Sequence, residues 1–250
     1  ELVRVAVPDM EAARAITAIK KAIHIPLIAD IHFDHRLALE SLKAGVDALR
    51  LNPGNITSRQ GVARVVAKAR AQHIPIRIGV NAGSLPKDIT EGSLAQRMVS
   101  AALREIGFLE GLDFDLIKIS LKAFDVPTTV AGYHLMARHT RYPLHVGITE
   151  AGPPPAGSIR SAVGIGILLH QGIGDTIRVS LTSPPAEEVR AAWEILKSLN
   201  LREHGAVLVS CPTCGRCDVD LQGLVAQVEQ RLKNLGSPLK VAVMGCEVNG

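Results

Sequence analysis

Strand and helix patterns alternate along most of this 250-residue chain, and the alternation is the feature that constrains its fold most strongly. Seven short runs of aliphatic and β-branched residues are each followed by a longer amphipathic stretch typical of a helix. Strands joined through helices pair in parallel, because each helix crosses back over one face of the sheet. The sequence therefore predicts an α/β protein with a mainly parallel sheet.

The element boundaries follow from cap and turn residues. Strands are predicted at 2–7, 26–31, 48–52, 76–81, 116–122, 144–149 and 176–181. Helices are predicted at 9–23, 34–44, 57–71, 93–107, 127–139, 158–170 and 185–199. Asp9, Asp34 and Ser158 are expected to cap helix N-termini, and Gly45 and Gly172 to follow helix ends. The run 172–175, Gly-Ile-Gly-Asp, precedes a strand and is interpreted as a turn rather than a phosphate loop.

An eighth strand–helix unit would close a (β/α)₈ barrel. Because seven units are present and the chain opens inside a strand, we expect a TIM-type barrel over residues 1–204 whose first strand is missing. A doubly wound open sheet is the competing fold. The sequence has no strand-linked Gly-x-Gly-x-x-Gly, which counts against the nucleotide-binding form of that fold.

Composition narrows the class of protein. With 47% hydrophobic residues the chain is expected to bury a large core, and no apolar run approaches the roughly 18 residues of a membrane span. The net charge of +4 suits an anionic substrate, whereas 3% aromatic residues and the lack of a Lys/Arg block argue against nucleic acid. Clustered cysteines without a dispersed disulfide framework fit a reducing cytoplasm better than secretion.

Cationic and polar side chains stand at the predicted carboxyl ends of the strands, where a barrel gathers its chemistry. Period-two alternation pairs them on shared faces: Arg50 with Asn52, Arg77 with Asn81, Ser120 with Lys122, and Arg178 with Ser180. Guanidinium groups match phosphate oxygens bidentately, so the pattern predicts a phosphate or diphosphate site. A single strand-borne arginine such as Arg4 also fits a structural ion pair. Asp30 and His32 fit either a divalent metal site or a plain hydrogen-bonded pair.

All four cysteines lie within about forty residues of the C-terminus. Cys211, Cys214 and Cys217 form Cys-Pro-Thr-Cys-Gly-Arg-Cys, and Cys246 follows at a distance. This clustering predicts a metal or iron–sulfur centre, with buried unreacted thiols as the alternative. Spacing alone nominates all four sulfurs.

Six motifs in combination resemble the 4-hydroxy-3-methylbut-2-enyl diphosphate synthase family of the methylerythritol phosphate pathway. They lie at 29–34, 51–55, 77–85, 147–152, 211–214 and 245–250. The resemblance implies a barrel joined to an α/β domain that carries a [4Fe-4S] cluster. Residues 205–250 are expected to form the first part of that domain, truncated in this chain. It implies an oxidoreductase of isoprenoid biosynthesis that reductively opens the ring of 2-C-methyl-D-erythritol 2,4-cyclodiphosphate and dehydroxylates it to 4-hydroxy-3-methylbut-2-enyl diphosphate.

The resemblance also implies residue roles. Glu150 is expected near the reacting carbons and hydroxyls, for hydrogen bonding or proton delivery. The implied cluster ligands are Cys211, Cys214 and Cys246, with a glutamate past Gly250 as the fourth and Cys217 as a bystander. The implied substrate-binding residues are Arg4, Asp30, His32, Arg50, Arg77, Asn81, Lys122, Thr149, Arg178 and Ser180.

The same resemblance implies a location, a bacterial cytoplasm or a plastid if the source is a plant or alga, and it implies partners. The electron donor would be a flavodoxin, a ferredoxin or another reductant, and the cluster domain of one subunit would cover the barrel of the other in a homodimer. Two other hypotheses stay open. One is a zinc-stapled, phosphate-binding barrel lyase or aldolase using Lys122 or the pair Asp30 and His32; the other is a binding module with a zinc ribbon.

Overall fold

The chain forms two compact units, Glu1–Ala192 and Trp193–Gly250. The computed structural model describes residues 1–51, 58–233 and 235–248. The predicted strand end at Asn52, the predicted helix start at Thr57 and the last two residues of the 245–250 motif lie outside the described residues. The boundary between the units falls within one helix, Pro185–Ser198.

Strands and helices alternate through the first unit, as the patterns predict. The strands are β1 (Val3–Ala6), β2 (Leu27–Ile31), β3 (Ala48–Leu51), β4 (Ile76–Asn81), β5 (Ile117–Lys122), β6 (His145–Val146) and β7 (Thr176–Ile177). The helices are α1 (Met10–Ala22), α2 (His35–Lys43), α3 (Arg59–Ala71), α4 (Leu94–Glu110), α5 (Val126–His139), α6 (Ala156–His170) and α7 (Pro185–Ser198), with a 3₁₀ turn at Ala82–Ser84.

The strands add to the sheet in chain order. Strands β1 to β5 form one parallel sheet, β6 pairs with β7 in parallel, and a bridge between Ile119 and Leu144 links β5 to β6. A doubly wound sheet reverses its strand order at a switch point. The described strands show no such reversal, so the open-sheet alternative is wrong.

The two faces of the sheet differ sharply in polarity. On β4, Ile76 and Ile78 are buried on the face that α4 covers, whereas Arg77 and Gly79 alternate onto the other face. Neighbouring strands repeat this pattern, so the helix-facing side is an aliphatic core. The register then places one polar row side by side on the opposite face: Asp30, Arg50, Arg77 and Lys118.

Strands β6 and β7 are shorter than the predicted 144–149 and 176–181. A Cβ on Gly147 would lie 2.3 Å from the carbonyl oxygen of Arg178, so the two backbones meet here at a distance that only glycine permits. The Thr149 N–H donates to the carbonyl of Ala123 at 3.2 Å, so the chain after β6 still bonds to the end of β5. The regular strand β6 itself ends at Val146.

The helix caps were predicted with one error. Asp9 accepts a hydrogen bond from the N–H of Ala12 at 2.8 Å, and Asp34 from that of Arg36 at 2.8 Å. Ser158 is not a cap, because α6 begins two residues earlier at Ala156. Pro155 precedes that residue with φ −81°, a ring-fixed angle already suited to a first helical turn.

The second unit contains a strand–helix–strand arrangement. Its elements are β8 (Ala206–Ser210), α8 (Leu221–Leu232) and β9 (Leu239–Val243), and β8 and β9 pair in parallel. Asp220 caps α8 by accepting from the N–H of Gly223 at 3.0 Å. Within the described ranges, no helix has both the length and the apolar character needed to cross a membrane.

Asp47 ties three elements of the first unit together just before β3. Its Oδ2 accepts from the backbone N–H of Leu27 at 2.6 Å and from the ammonium of Lys20 at 2.5 Å. Burial alone would raise the pKa of this carboxyl, but the Leu27 hydrogen bond and Lys20 outweigh it and hold the pKa below its usual range. The stabilisation is therefore present above pH 3.8 and is lost as pH falls through the lowered folded-state pKa.

We predict that Asp47→Ala lowers the free energy of unfolding by about 1–3 kcal/mol at pH 7, because the Leu27 N–H loses its acceptor. Asp88→Ala is the control, since among the described residues Asp88 forms an exposed ion pair with Arg104, worth less than about 1 kcal/mol. Urea unfolding of both variants at pH 7 and pH 3 measures the effect. Equal losses at pH 7 would contradict the assignment.

Candidate functional site

Five cationic side chains interact with one another on the polar face of the sheet. We call them the cationic cluster: Arg4, Arg50, Arg77, Lys122 and Arg178. Arg50, Arg77 and Lys122 are 3%, 6% and 5% exposed. Parallel pairing places Arg50 beside Arg77, and Lys122 lies further along the same face of β5, opposite Asn81. The alternation turns these side chains away from the helices. The mutual repulsion of buried like charges makes this an unusual arrangement for a plain core.

Asp30 is the central counter-ion of the cationic cluster. Its Oδ1 lies 3.0 Å from Nη1 of Arg50, and its Oδ2 lies 3.1 Å from Nη1 of Arg4. His32 places Nε2 at 3.8 Å from the same Oδ2. Both carboxylate oxygens are therefore already engaged by arginines.

Two glycines lie against the cationic side chains, and one of them makes room for a guanidinium. Arg50 donates from Nη2 to the carbonyl of Gly79 at 3.0 Å, and a Cβ on Gly79 would lie 2.4 Å from Nε of Arg50. Gly147 lies beneath the ammonium of Lys122, whose Nζ would be 3.4 Å from a Cβ there. Any larger residue at Gly79 would displace the guanidinium.

Arg77 and Lys122 have no carboxylate partner among the described residues. Arg77 donates from Nη1 to the hydroxyl of Ser120 at 2.8 Å. Burial, and then the charges of Arg4 and Arg50, lower the pKa of Arg77 to about 9. Burial followed by the four arginines holds the pKa of Lys122 well below its usual value of 10.5.

Glu188 on α7 is the second counter-ion of the cluster. Its Oε1 lies 3.3 Å from Nη2 of Arg178 and accepts from the backbone N–H of Leu181 at 2.9 Å. Across the part of the chain that the structure describes, five cations thus share two carboxylates, Asp30 and Glu188, which leaves three positive charges in excess. Such a site has the electrostatic character of a polyanion receptor.

The other predicted substrate-binding residues surround the cluster at its strand ends. Asn81 is aligned with Lys122 in the β4–β5 register, and Thr149 hydrogen-bonds to the end of β5. Ser180 is half-buried two residues after Arg178. Glu150 is exposed and adopts φ +55°, a left-handed backbone that is strained for glutamate. No contact between the Glu150 side chain and the cluster is present in the described residues.

Two further residues join the site without having been predicted from the sequence. His145 is half-buried, with Nδ1 2.9 Å from the hydroxyl of Thr176. Desolvation, and then the charges of Lys122 and Arg77, hold its pKa well below the usual 6.5. It lies two residues before Gly147, so the alternation that identified the arginines would have found it. Glu188 lies on a helix, where no strand pattern applies. Lys118 lies in the same row as Arg77, and its pKa is lowered by burial and then by Arg77.

The cysteines lie on two loops of the second unit that follow the carboxyl ends of β8 and β9. The β8–β9 register places Ser210 opposite Val243, so the loop that starts at Cys211 and the loop that carries Cys246 leave the same edge. The N–H of Asp218 donates to the carbonyl of Gly245 at 3.0 Å and joins the loops. All four cysteines are free thiols.

The described residues contain no group of three His, Cys, Asp or Glu side chains arranged around one metal ion. The predicted ligands Cys211, Cys214 and Cys246 therefore share an edge of the unit without meeting at a single point. Cys217 lies against the Cys246 loop, because a Cβ on Gly245 would be 2.7 Å from its Sγ. Asp30 and His32 likewise form a pair, with Arg4 and Arg50 around it rather than further ligands.

We predict that Lys122→Met raises the free energy of unfolding of the anion-free protein by about 1–3 kcal/mol near pH 7, because a buried, unpaired cation is removed. Since the folded-state pKa of Lys122 is lowered, the unfolded state binds the proton more tightly, and the penalty is full below the lowered pKa. It disappears as pH approaches 10.5. Urea unfolding between pH 6 and pH 10 measures the trend, with the exposed Lys43→Met as control. A gain that is equal for both variants, or that grows with pH, would contradict the prediction.

Solved structures with a similar fold have low sequence identity. A DHPS structure from Yersinia pestis matches with a TM-score of 0.56 and 13% identity over 80% of this chain and 83% of that one. An HMG-CoA lyase from Brucella melitensis matches with a TM-score of 0.55 and 13% identity over 79% of this chain and 78% of that one. At this identity the likeness shows the fold alone, and it agrees with the predicted TIM-type barrel.

Curated relatives are much more similar in sequence. The chain is 63% identical over 251 residues to the 4-hydroxy-3-methylbut-2-en-1-yl diphosphate synthase (flavodoxin) of Dehalococcoides mccartyi strain BAV1, and 59% identical over 253 residues to that of Geobacter sulfurreducens. Each match covers 100% of this chain and 72% of the relative. The model of the GcpE TIM-barrel domain matches residues 1–193, and that of the GcpE protein C-terminal domain matches residues 207–250. The predicted barrel is thereby confirmed, and the chain belongs to the GcpE family.

Proposed function

We propose that this chain catalyses the reductive ring opening and dehydroxylation of 2-C-methyl-D-erythritol 2,4-cyclodiphosphate to 4-hydroxy-3-methylbut-2-enyl diphosphate. The observation that carries the proposal is the cationic cluster, with its three excess positive charges in the described residues. The names of the curated relatives support the same reaction. The zinc-stapled lyase or aldolase is not favoured, because the relatives are named as diphosphate synthases.

The cationic cluster would bind the diphosphate more strongly as the reaction proceeds. A cyclic diphosphate diester carries about two negative charges, and breaking its ring C–O bond frees a terminal phosphate with about one more. Buried guanidinium and ammonium groups stabilise the added charge better than water does, because their dipoles and charges are already in place. The three excess positive charges of the cluster match the opened form, so binding energy is gained along the reaction rather than before it.

The polar residues at the strand ends would contact the carbon skeleton and hydroxyl groups of the substrate. Thr149, Ser180 and Asn81 offer neutral donors beside the cluster. Glu150 follows Thr149 and is accessible to solvent, so its carboxyl can exchange protons with water. In this proposal Glu150 delivers the proton with which the departing hydroxyl leaves as water, while an external donor supplies the two electrons.

The cysteine loops suit an iron–sulfur cluster in donor chemistry. Thiolate sulfur is the usual ligand of such clusters, and sulfurs that bind different iron atoms need not converge on one point as they do around a single ion. We propose Cys211, Cys214 and Cys246 as ligands of a [4Fe-4S] cluster, on the two loops that Asp218 and Gly245 join. When bound, the cluster would supply single-electron transfer and a Lewis-acidic iron.

The remaining partners are also proposals. A flavodoxin as electron donor is supported by the names of the relatives. A homodimer in which one subunit's cluster domain meets the other's barrel would bring the two chemistries together. A bacterial cytoplasm fits cysteines that must stay reduced to bind iron.

The reaction is tested by anaerobic reconstitution with iron and sulfide, followed by assay with the cyclodiphosphate and reduced flavodoxin. We expect turnover to the hydroxybutenyl diphosphate, and we expect Arg77→Met to lower kcat/KM by about 100-fold or more because a buried phosphate contact is lost. Arg138→Met, on the solvent side of α5, is the control. Zinc bound without sulfide, or no turnover by a fully reconstituted protein, would overturn the proposal.

The ligand set is tested separately by metal analysis. Cys246→Ser should reduce bound iron and sulfide severely, because a proposed thiolate ligand is lost. Cys217→Ser, the matched control on the facing loop, should retain most of both. Visible absorption and iron and sulfide assays measure the outcome, and the opposite pattern would refute the assignment.

A further inference from the structure

The hydroxyl of Tyr133 occupies a place where strands β5 and β6 should bond directly. Ile119 donates its N–H to the carbonyl of Pro143 at 2.9 Å, a regular parallel rung. Two residues further along each strand, the next rung would join the N–H of Leu121 to the carbonyl of His145. Instead, that N–H donates to the Tyr133 hydroxyl at 3.0 Å, and the hydroxyl donates to the His145 carbonyl at 2.6 Å.

The tyrosine is fully buried and reaches the sheet from α5. A hydroxyl is the one neutral side-chain group that can both accept from an N–H and donate to a carbonyl through a single atom. Burial raises the pKa of Tyr133, so the hydroxyl stays protonated and keeps its donor. Inserting this oxygen replaces the direct rung between the two strands while leaving both backbone groups satisfied. The strands bond directly on either side of it, through Ile119 to Pro143 and through Thr149 to Ala123.

The insertion lies immediately beside Lys122. One turn before Tyr133 on the same helix, the hydroxyl of Thr129 accepts from the N–H of Ala123 at 3.3 Å. The backbone is therefore held by α5 on both sides of Lys122, at Leu121 and at Ala123. Gly147 follows two residues after His145, and a Cβ there would lie 3.4 Å from Nζ of Lys122.

We propose that Tyr133 is a positioning residue for anion binding: its hydroxyl holds β5 and β6 apart so that the Lys122 ammonium enters the cationic cluster over Gly147. This inference rests on the proposed function, because it assumes that the cluster binds the substrate diphosphate. It adds a residue outside the cluster, on a helix behind the sheet, that sets the cluster's geometry. Without the hydroxyl, Leu121 and His145 would bond directly, and Lys122 would shift with its strand.

The test uses Tyr133→Phe in the whole chain, with inorganic diphosphate as the probe in isothermal titration calorimetry. The dissociation constant should rise about tenfold in this variant and change less than about twofold in Tyr142→Phe, the matched control. The control removes the same atom from the only other tyrosine, whose hydroxyl bonds to the exposed Glu110 carboxylate at 3.0 Å. Unchanged affinity in a folded Tyr133→Phe chain would overturn the proposal.

A double-mutant cycle separates positioning from a general loss of stability. In a Lys122→Met background, adding Tyr133→Phe should change the dissociation constant by less than about twofold, because the group that Tyr133 positions is gone. An undiminished tenfold effect there would refute the assignment. If wild-type protein fails to bind diphosphate at all, the proposed anion site itself fails; binding by the wild type that Tyr133→Phe leaves unchanged refutes only the role of Tyr133.

A second measurement keeps the hydroxyl and does not depend on the folding of Tyr133→Phe. In a Tyr142→Phe chain, 3-fluorotyrosine labels position 133 alone, since the sequence has two tyrosines. Saturating diphosphate should shift its fluorine resonance, and the shift should vanish in Lys122→Met. An unshifted resonance with Lys122 present would contradict the coupling.

Discussion

The structure of the first unit depends on how it accommodates buried like charges. Two unit charges about 4 Å apart repel by about 4 kcal/mol at an effective dielectric of about 20. Asp30 offsets this by engaging Arg4 and Arg50 with separate oxygens, and Glu188 does the same for Arg178. The glycine at 79 follows from the same constraint, because the Arg50 guanidinium occupies the volume that a side chain there would fill.

Much of this arrangement was predictable because it arises from periodicity. Parallel strands in chain order bring equivalent strand positions into one row, so a polar residue at Arg50 and another at Arg77 must become neighbours once the strand assignments are right. Helix ends were predictable where a short acidic side chain could cap the first turn, as at Asp9. At α6 the fixed φ of Pro155 started the helix earlier than Ser158 would have done, so backbone geometry took precedence over side-chain capping.

The structural features that the sequence did not predict depend on contacts between elements that are distant in the chain. The lengths of β6 and β7 are set by the close approach of Gly147 to the Arg178 backbone. A glycine in a predicted strand does not indicate which other segment of the backbone it will approach. Glu188 and Tyr133 reach the site from helices, and the helical sequence pattern does not distinguish either residue from its neighbours. The cysteine spacing indicated ligand chemistry, but it could not indicate that Asp218 and Gly245 join the two loops.

The cationic cluster also explains why rigidity behind the sheet matters to it. A charged group that lacks a counter-ion gains free energy by moving toward water, so Lys122 stays among four arginines only if its backbone cannot follow such a movement. The two hydroxyls of α5 fix that backbone on either side, and the buried core of α5 fixes the hydroxyls. A polyanion would then bind to positive charges that are already in position. The free energy needed to bring these like charges together would have been supplied by folding and not by binding. The excess charge attracts the anion, and the inserted tyrosine holds one part of that charge in place.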